Sequence, residues 1–308
     1  MTDTPNWERN TIEKLALAAL NEQKRARNWG ILFKSLTFIY LFALLFMASS
    51  WFPHNGSSGS HTAVIDIRGE IGDGDAVNAD DAISSLQSAF EDKNTKGVIL
   101  RINSPGGSPV QAGIINDEIG RLRKLHPTIP LYAVVEDICA SGGYYIAVAA
   151  DKIYVDKASI VGSIGVLMDG FGFTGTMEKF GVERRVMTAG KNKAFMDPFS
   201  PVNPAHKVHA QAMLDEIHQQ FISVVRKGRG DRLKETPDMF SGLFWSGEKS
   251  VELGLADGIG SADMVARDIV KEENMVDFTS REGLADRFAK QLGASVTQAL
   301  ARTSFKLH

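Results

Sequence analysis

The sequence predicts an α/β domain with a mostly parallel sheet, preceded by one transmembrane helix. Three observations carry that expectation: strand-like runs alternate with amphipathic helical segments from residue 63 onward, two glycine-rich turns each follow a strand directly, and residues 35–52 contain no charge. A length of 308 residues, 44% of them hydrophobic and 23% charged, is enough to bury a full core. Basic and acidic residues number 34 and 37, for a formal charge of −3, which argues against a globally basic surface for nucleic acid. Cys139 is the one cysteine, so neither a disulfide framework nor a Cys-rich zinc site is available.

The uncharged run reads SLTFIYLFALLFMASSWF and extends back to Trp29, interrupted only by Lys34, whose stem can snorkel to an interface. Residues 29–52 suffice to span a hydrocarbon layer roughly 30 Å thick. Trp29 and Trp51 fall at its two ends, where amphipathic rings prefer to lie. Lys24, Arg25, Arg27 and Lys34 precede or open the span, and no Lys or Arg follows until Arg68. By the positive-inside rule residues 1–28 are cytoplasmic and everything after the span lies outside the cytoplasm, as a single-pass signal anchor in the inner (cytoplasmic) membrane. Met47-Ala48-Ser49 offers a small-residue cleavage site, but the basic region ahead of it is long for a cleaved signal peptide. Residues 53–62 (PHNGSSGSHT) form a flexible linker, and 7–27 a polar amphipathic helix along the membrane.

Beyond the linker, residues 63–67 (AVIDI) read as a strand and 79–92 as a helix with Ile83, Leu86 and Phe90 on one face. Residues 97–102 (GVILRI) form the next strand, and 110–125 a helix turning Ile114, Ile115, Ile119 and Leu122 inward. A third strand, 130–135 (PLYAVV), leads to a short apolar helix over 143–150. Residues 152–155 and 182–187 add strands, with a helix over 173–180 between them. A long helix over 204–226 buries Val208, Leu214, Ile217, Phe221 and Val225. Residues 281–303 form a last amphipathic helix, whose Leu284, Phe288, Leu292, Val296 and Leu300 pack on the domain or on a neighbour.

The chemistry concentrates in the glycine turns. In Asn103-Ser104-Pro105-Gly106-Gly107, successive glycines let backbone N–H groups face a cavity without Cβ obstruction, although an ordinary tight turn has the same composition. In Ala140-Ser141-Gly142-Gly143-Tyr144-Tyr145, a serine stands between a strand and a helix N-terminus, where free amides stabilise developing negative charge. The pattern departs from G-x-S-x-G because Cys139 takes the first glycine position, and Ser141 alone also reads as a helix cap.

A serine nucleophile needs a base. His54 and His61 fall in or beside the linker, His126 precedes a proline, His308 is terminal, and His206, His209 and His218 belong to a solvated helix face. His206 and His209 lack a third metal ligand, so no metal is expected. A lysine can serve if burial brings its pKa from about 10.4 down to about 7–8. Residues 190–199 (GKNKAFMDPF) offer Lys191 and Lys193, which physical chemistry alone does not separate. Gly170-Phe171-Gly172-Phe173-Thr174-Gly175 matches G-x-G-x-x-G literally but lies deep in the chain between phenylalanines, and no nucleotide is expected there.

Taken in order, N-S-P-G-G, A-S-G-G-Y-Y-I-A-x-A-A-D-K-I, G-S-I-G-V and G-K-x-K followed by Pro-Phe resemble the signal peptide peptidase A family of serine–lysine peptidases, over residues 63–263. The resemblance implies a crotonase/caseinolytic-protease-like spiral of ββα units over a peptidase domain at 63–276, with a C-terminal segment at 277–308. It further implies Ser141 as nucleophile and, 193 − 141 = 52 residues later, Lys193 as general base, with Lys191 non-catalytic. Gly107 and Gly142 then supply the oxyanion amides, and the Ser163 hydroxyl orients the lysine. No cofactor is implied.

One copy of the domain makes the chain similar to the short members of that family. By that resemblance it is a membrane-tethered homo-oligomer in which serine and lysine meet across a subunit boundary. Its implied substrates are remnant signal peptides or other extended apolar segments, bound by strand addition near Ser141. A catalytically silent membrane scaffold holding hydrophobic peptides in the same groove is the alternative. An acyl-CoA enzyme on this fold would explain the glycine turns and leave the Ser/Lys pair unused.

Overall fold

The computed structural model describes residues 7–49, 59–74 and 76–280, with the side chains of 7–11 and 47–49 left aside. The expected helix at 281–303 and most of the linker lie outside the described residues. The chain divides into two units, of which one contains the N-terminal helix and the other is Ser57–Arg281.

Helix α1 (Trp7–Ser49) is unbroken. The polar stretch at 7–27 therefore runs straight into the apolar span instead of forming a separate surface helix, since no Pro or Gly-rich break divides them. Its part Ile12–Phe46 is long and apolar enough to cross a membrane. Along it Trp29 stacks on Phe33 at 5.7 Å, and the Thr37 hydroxyl donates to the Phe33 carbonyl four residues back.

In the second unit β1 (His61–Arg68), α2 (Ala79–Glu91), β2 (Thr95–Ser104), α3 (Pro109–Leu125) and β3 (Leu131–Ala140) follow one another as parallel strands with helical crossovers. The long strands are apolar on both faces because both are covered. One face carries Ile65, Leu100, Ile102, Ala133 and Val135, packed under α2 and α3 through Leu86, Phe90, Ile115 and Ile119. The other carries Val64, Ile99 and Val134, closed by Val265 and Ala266. Asn78 and Ser108 cap α2 and α3 with their side-chain oxygens, fixing where each helix starts.

The chain then adds α4 (Gly142–Ala147), β4 (Lys152–Val155), β5 (Ile160–Gly162), α5 (Thr174–Lys179) and the long α6 (Pro204–Arg229). A 3₁₀ turn (Gly230–Arg232) leads to β6 (Phe244–Ser246), α7 (Gly247–Glu252), β7 (Gly258–Ile259), α8 (Ala262–Met264), a π-turn (Val265–Val270) and β8 (Met275–Asp277). The eight-stranded sheet runs β6-β5-β3-β2-β1-β8, and β4 also pairs with β3 and carries β7. Among the described residues only β5–β6 pairs antiparallel.

Strand β3 serves two neighbours in succession. Its first half (Tyr132 to Val134) pairs with β4 and its end (Ile138 to Ala140) with β5. Between those halves its register against β2 jumps, from Ile102↔Val135 to Ser104↔Cys139, so β3 carries two extra residues.

Three expectations are corrected. Residues 182–187 form no strand: three consecutive charged residues (Glu183, Arg184, Arg185) break any period-two face, and the segment lies exposed in an excursion between β5 and α6. Ile114 and Val208 are exposed, because each falls off the stripe by which its helix meets the sheet. His218 is half-buried, with Nε2 3.1 Å from the Ile164 carbonyl oxygen, and does not sit on a solvated face. Arg229, at the end of α6, is 1% exposed, and forks onto Asp257 at 2.7 and 3.0 Å while donating to the Gly254 carbonyl.

Candidate active site

Ser141 stands one residue past the end of β3, at the point where the chain reverses into α4. Its backbone has φ 51 and ψ −120, a region that a non-glycine residue occupies only under constraint. The constraint is visible on both sides. The Ser141 N–H donates to the Gly162 carbonyl at 2.8 Å, and its own carbonyl accepts from Tyr145 N–H at 3.0 Å. Behind it, the Tyr144 hydroxyl donates to the Leu255 carbonyl at 2.8 Å, Tyr145 packs on Phe221 at 5.0 Å, and the Asn116 amide donates to the Tyr145 carbonyl. The paired tyrosines thus bolt α4 to the body of the domain and hold the serine bent. The Ser141 side chain makes no capping bond, which leaves its hydroxyl for other work and sets aside the helix-cap reading.

The first glycine turn lies directly against this serine. Gly106 has φ +106, and a Cβ there would come within 2.7 Å of both the Ser141 Cβ and the Gly142 nitrogen. Gly107 has φ +145, and a Cβ there would sit 2.1 Å from the Ile71 carbonyl oxygen. Both positions therefore admit only glycine. Gly69 to Ile71 stitch the turn down: Ile71 N–H donates to Gly106 O, Ser108 N–H to Ile71 O, and the buried Ser104 hydroxyl to Gly69 O. A Cβ on Gly142 would lie 3.2 Å from the Gly107 nitrogen, so the two turns meet. Neither Gly107 N–H nor Gly142 N–H donates a hydrogen bond among the described residues. Two unengaged amides beside a bent serine can receive the negative oxygen of a tetrahedral intermediate.

Ser163 follows the carbonyl that holds Ser141, has φ 52, and donates its N–H to the Leu243 carbonyl at 2.8 Å. The fold thus brings Ser141, Gly107, Gly142 and Ser163 together. Lys193 is not joined to them: no hydrogen bond or ion pair links it to Ser141 or Ser163 among the described residues, and both Lys191 and Lys193 are exposed. Their loop is held by Phe195 against His206 and His209 of α6, at 5.0 and 5.8 Å, and by Asn192 beside His206 at 3.3 Å. Those histidines act as packing faces. Cys139, next to the serine turn, is fully buried, and burial pushes its thiol up from the ordinary range. A cavity of about 790 Å³ lies elsewhere, on the sheet face opposite α2 and α3, lined by Arg68, Arg101, Asn103, Glu136 and Asp137. Sequence reasoning carried Gly162 only as part of G-S-I-G-V, with no role of its own, and missed the β6 segment that supports Ser163.

A strained serine beside unengaged amides, on a parallel α/β sheet, is an arrangement able to support acyl transfer through a hydroxyl. Comparison with known proteins gives the family. Residues 123–276 match Peptidase family S49. The putative signal peptide peptidase SppA of Enterococcus faecium is 32% identical over 233 residues, covering 73% of this chain and 67% of that protein. Protease 4 of Haemophilus influenzae is 32% identical over 204 residues, 65% of this chain and 32% of its own length. A Brucella melitensis protein named Na(+)/H(+) antiporter NhaA is 48% identical over 175 residues, 57% of this chain, and the match spans only 24% of that protein. The chain belongs to peptidase family S49.

Proposed function

We propose that the chain is a membrane-anchored serine endopeptidase that cleaves remnant signal peptides or other extended apolar segments outside the cytoplasm. Ser141 attacks the scissile carbonyl and forms an acyl-enzyme, and the amides of Gly107 and Gly142 receive the oxyanion. Lys193, as a neutral amine, takes the serine proton and returns it to the leaving nitrogen, with Ser163 orienting that amine. Water then releases the acyl group. The observation that carries the reading is the φ 51, ψ −120 backbone of Ser141 set against two unengaged amides, since strain of this kind persists only where surrounding structure enforces it.

The exposure of Lys193 supports a pair completed by a second copy of the chain. So does the apolar surface of the same excursion, where Leu167, Phe171 and Met187 are 80%, 80% and 97% exposed. A homo-oligomer would cover those side chains while carrying a lysine to a neighbour's serine. The parallel strands with helical crossovers favour the crotonase/caseinolytic-protease-like spiral, and Ile12–Phe46 the anchor. The basic residues before that span favour a cytoplasmic N-terminus. The antiport in the Brucella protein's name is that protein's and is not carried over.

The test is hydrolysis of apolar peptides by the solubilised full chain, read by mass spectrometry. Ser141→Ala and Lys193→Ala each abolish cleavage while assembly persists. A purified Ser141→Ala variant that still cleaves overturns the reading.

A further inference from the structure

The corner that carries Ser163 is gripped from one segment of the chain, residues 242–245. Leu243 accepts its N–H, and a Cβ on Gly165 would lie 3.0 Å from the Gly242 Cα. Trp245, opposite Val161 in the β5–β6 pair, lays its indole against Gly162: a Cβ there would meet Cδ1 at 3.2 Å and Nε1 at 3.5 Å. Gly162 has φ +113, gives its carbonyl to Ser141 N–H, and precedes Ser163. One indole thus lies against the residue that accepts the Ser141 N–H and leads into Ser163.

That indole has a second peculiarity. Its N–H is buried and meets no acceptor, the one side-chain nitrogen or oxygen so placed among the described residues. An unmet buried donor is costly, and a phenylalanine, though smaller, would keep an aromatic ring here without it. His218, whose Nε2 lies 3.1 Å from Ile164 O, reaches the same corner from α6.

We propose that Trp245 is a positioning residue of the serine centre. Its ring braces the Gly162–Ser163 corner, and its indole N–H donates to an oxygen acceptor that enters when the site is occupied. The inference rests on the serine-peptidase reading, and the test separates the two.

Full-length protein is reacted with a fluorophosphonate, and the rate of Ser141 labelling is measured beside peptide hydrolysis. Trp245→Phe lowers the labelling rate and kcat together by about fivefold or more, as loss of one aligned donor should, with KM within about twofold. Labelling of Trp245→Phe at the wild-type rate overturns the proposal and leaves the peptidase reading standing. Wild-type protein that is not labelled at Ser141 removes both.

A second measurement needs no change at Trp245. The chain has four tryptophans, so replacing Trp7, Trp29 and Trp51 by Phe leaves Trp245 as the sole indole. Its emission shifts to longer wavelength once Ser141 is modified and the N–H finds its acceptor. Emission unchanged on complete labelling overturns the proposal, whether or not Trp245→Phe folds.

Discussion

Replacing Gly142 by alanine should separate stability from catalysis. Gly142 opens α4 without a positive φ, so alanine suits its backbone. The new Cβ would lie 3.2 Å from the Gly107 nitrogen and 3.5 Å from both Ala112 Cβ and Gly106 Cα. Only the first contact is tight, and a few tenths of an ångström relieve it. The helix gains up to about 1 kcal/mol from Gly→Ala, and part of that is lost to the contact. For a unit of this size the midpoint of thermal unfolding should therefore move by no more than about 4 °C. The relief, however, pushes Gly107 N–H away from the place where the oxyanion forms. Complete loss of one such donor costs about 2.7–4 kcal/mol of transition-state stabilisation, and displacement a fraction of that, so kcat should fall roughly ten- to a hundredfold. Peptide hydrolysis and fluorophosphonate labelling, measured beside a thermal melt, give both quantities. A stable Gly142→Ala enzyme with wild-type kcat would refute the assignment of the paired amides. Gly106→Ala is the contrast: with φ +106 and 2.7 Å contacts to Ser141 and Gly142, it should lose stability and activity together.

Arg229→Met removes the forked partner of Asp257, leaving it Arg232 at 3.2 Å and the Ile153 amide, and should destabilise the domain by about 1.5–3 kcal/mol in denaturant unfolding. Burial alone would raise the Asp257 carboxyl, but hydrogen bonds from Arg229 and the Ile153 amide, with the Arg229 and Arg232 charges, outweigh burial and hold it below its ordinary range. A depressed carboxyl contributes stability above its unfolded-state pKa and loses it as pH falls through the folded-state value. Asp257→Asn should therefore be less stable at neutral pH and show a flatter loss on acidification; an unchanged acid limb counts against the assignment. Ser141→Ala and Lys193→Ala chains coexpressed in equal amounts should recover activity if the pair spans a boundary, with about one junction in four intact. Mixed oligomers with no activity exclude that arrangement. Cys139 should resist alkylation until the domain unfolds, and its modification at the rate of a free thiol in native protein would contradict its burial.

The long strands were legible because runs such as GVILRI and PLYAVV have few other uses than a sheet buried on both sides. The short ones were not: β5, β6, β7 and β8 hold two or three residues each, and pairing partners define them more than composition does. Residues 182–187 show the converse, a run with β-branched ends that finds no neighbour to pair with. At the site, the two glycine turns and Ser141 between strand and helix stood out in the sequence, but an ordinary turn and a helix cap have the same composition, and the family resemblance chose among the readings. Trp245 did not stand out, since its meaning depends on the register Val161↔Trp245, which brings residues 84 positions apart into contact (245 − 161 = 84). Lys193 was named through a family motif, and in the single chain it lies exposed.

The two surplus residues in β3 carry an arithmetic constraint on change in this region. Because consecutive side chains in a strand point to opposite sides, an even surplus lets Val135 and Cys139 both look inward and delivers the following serine to its present side. Removing or adding one residue between them would invert that parity, turning Ser141 toward the other layer while leaving every motif in the primary structure intact. Length variants here should be tolerated in pairs or not at all.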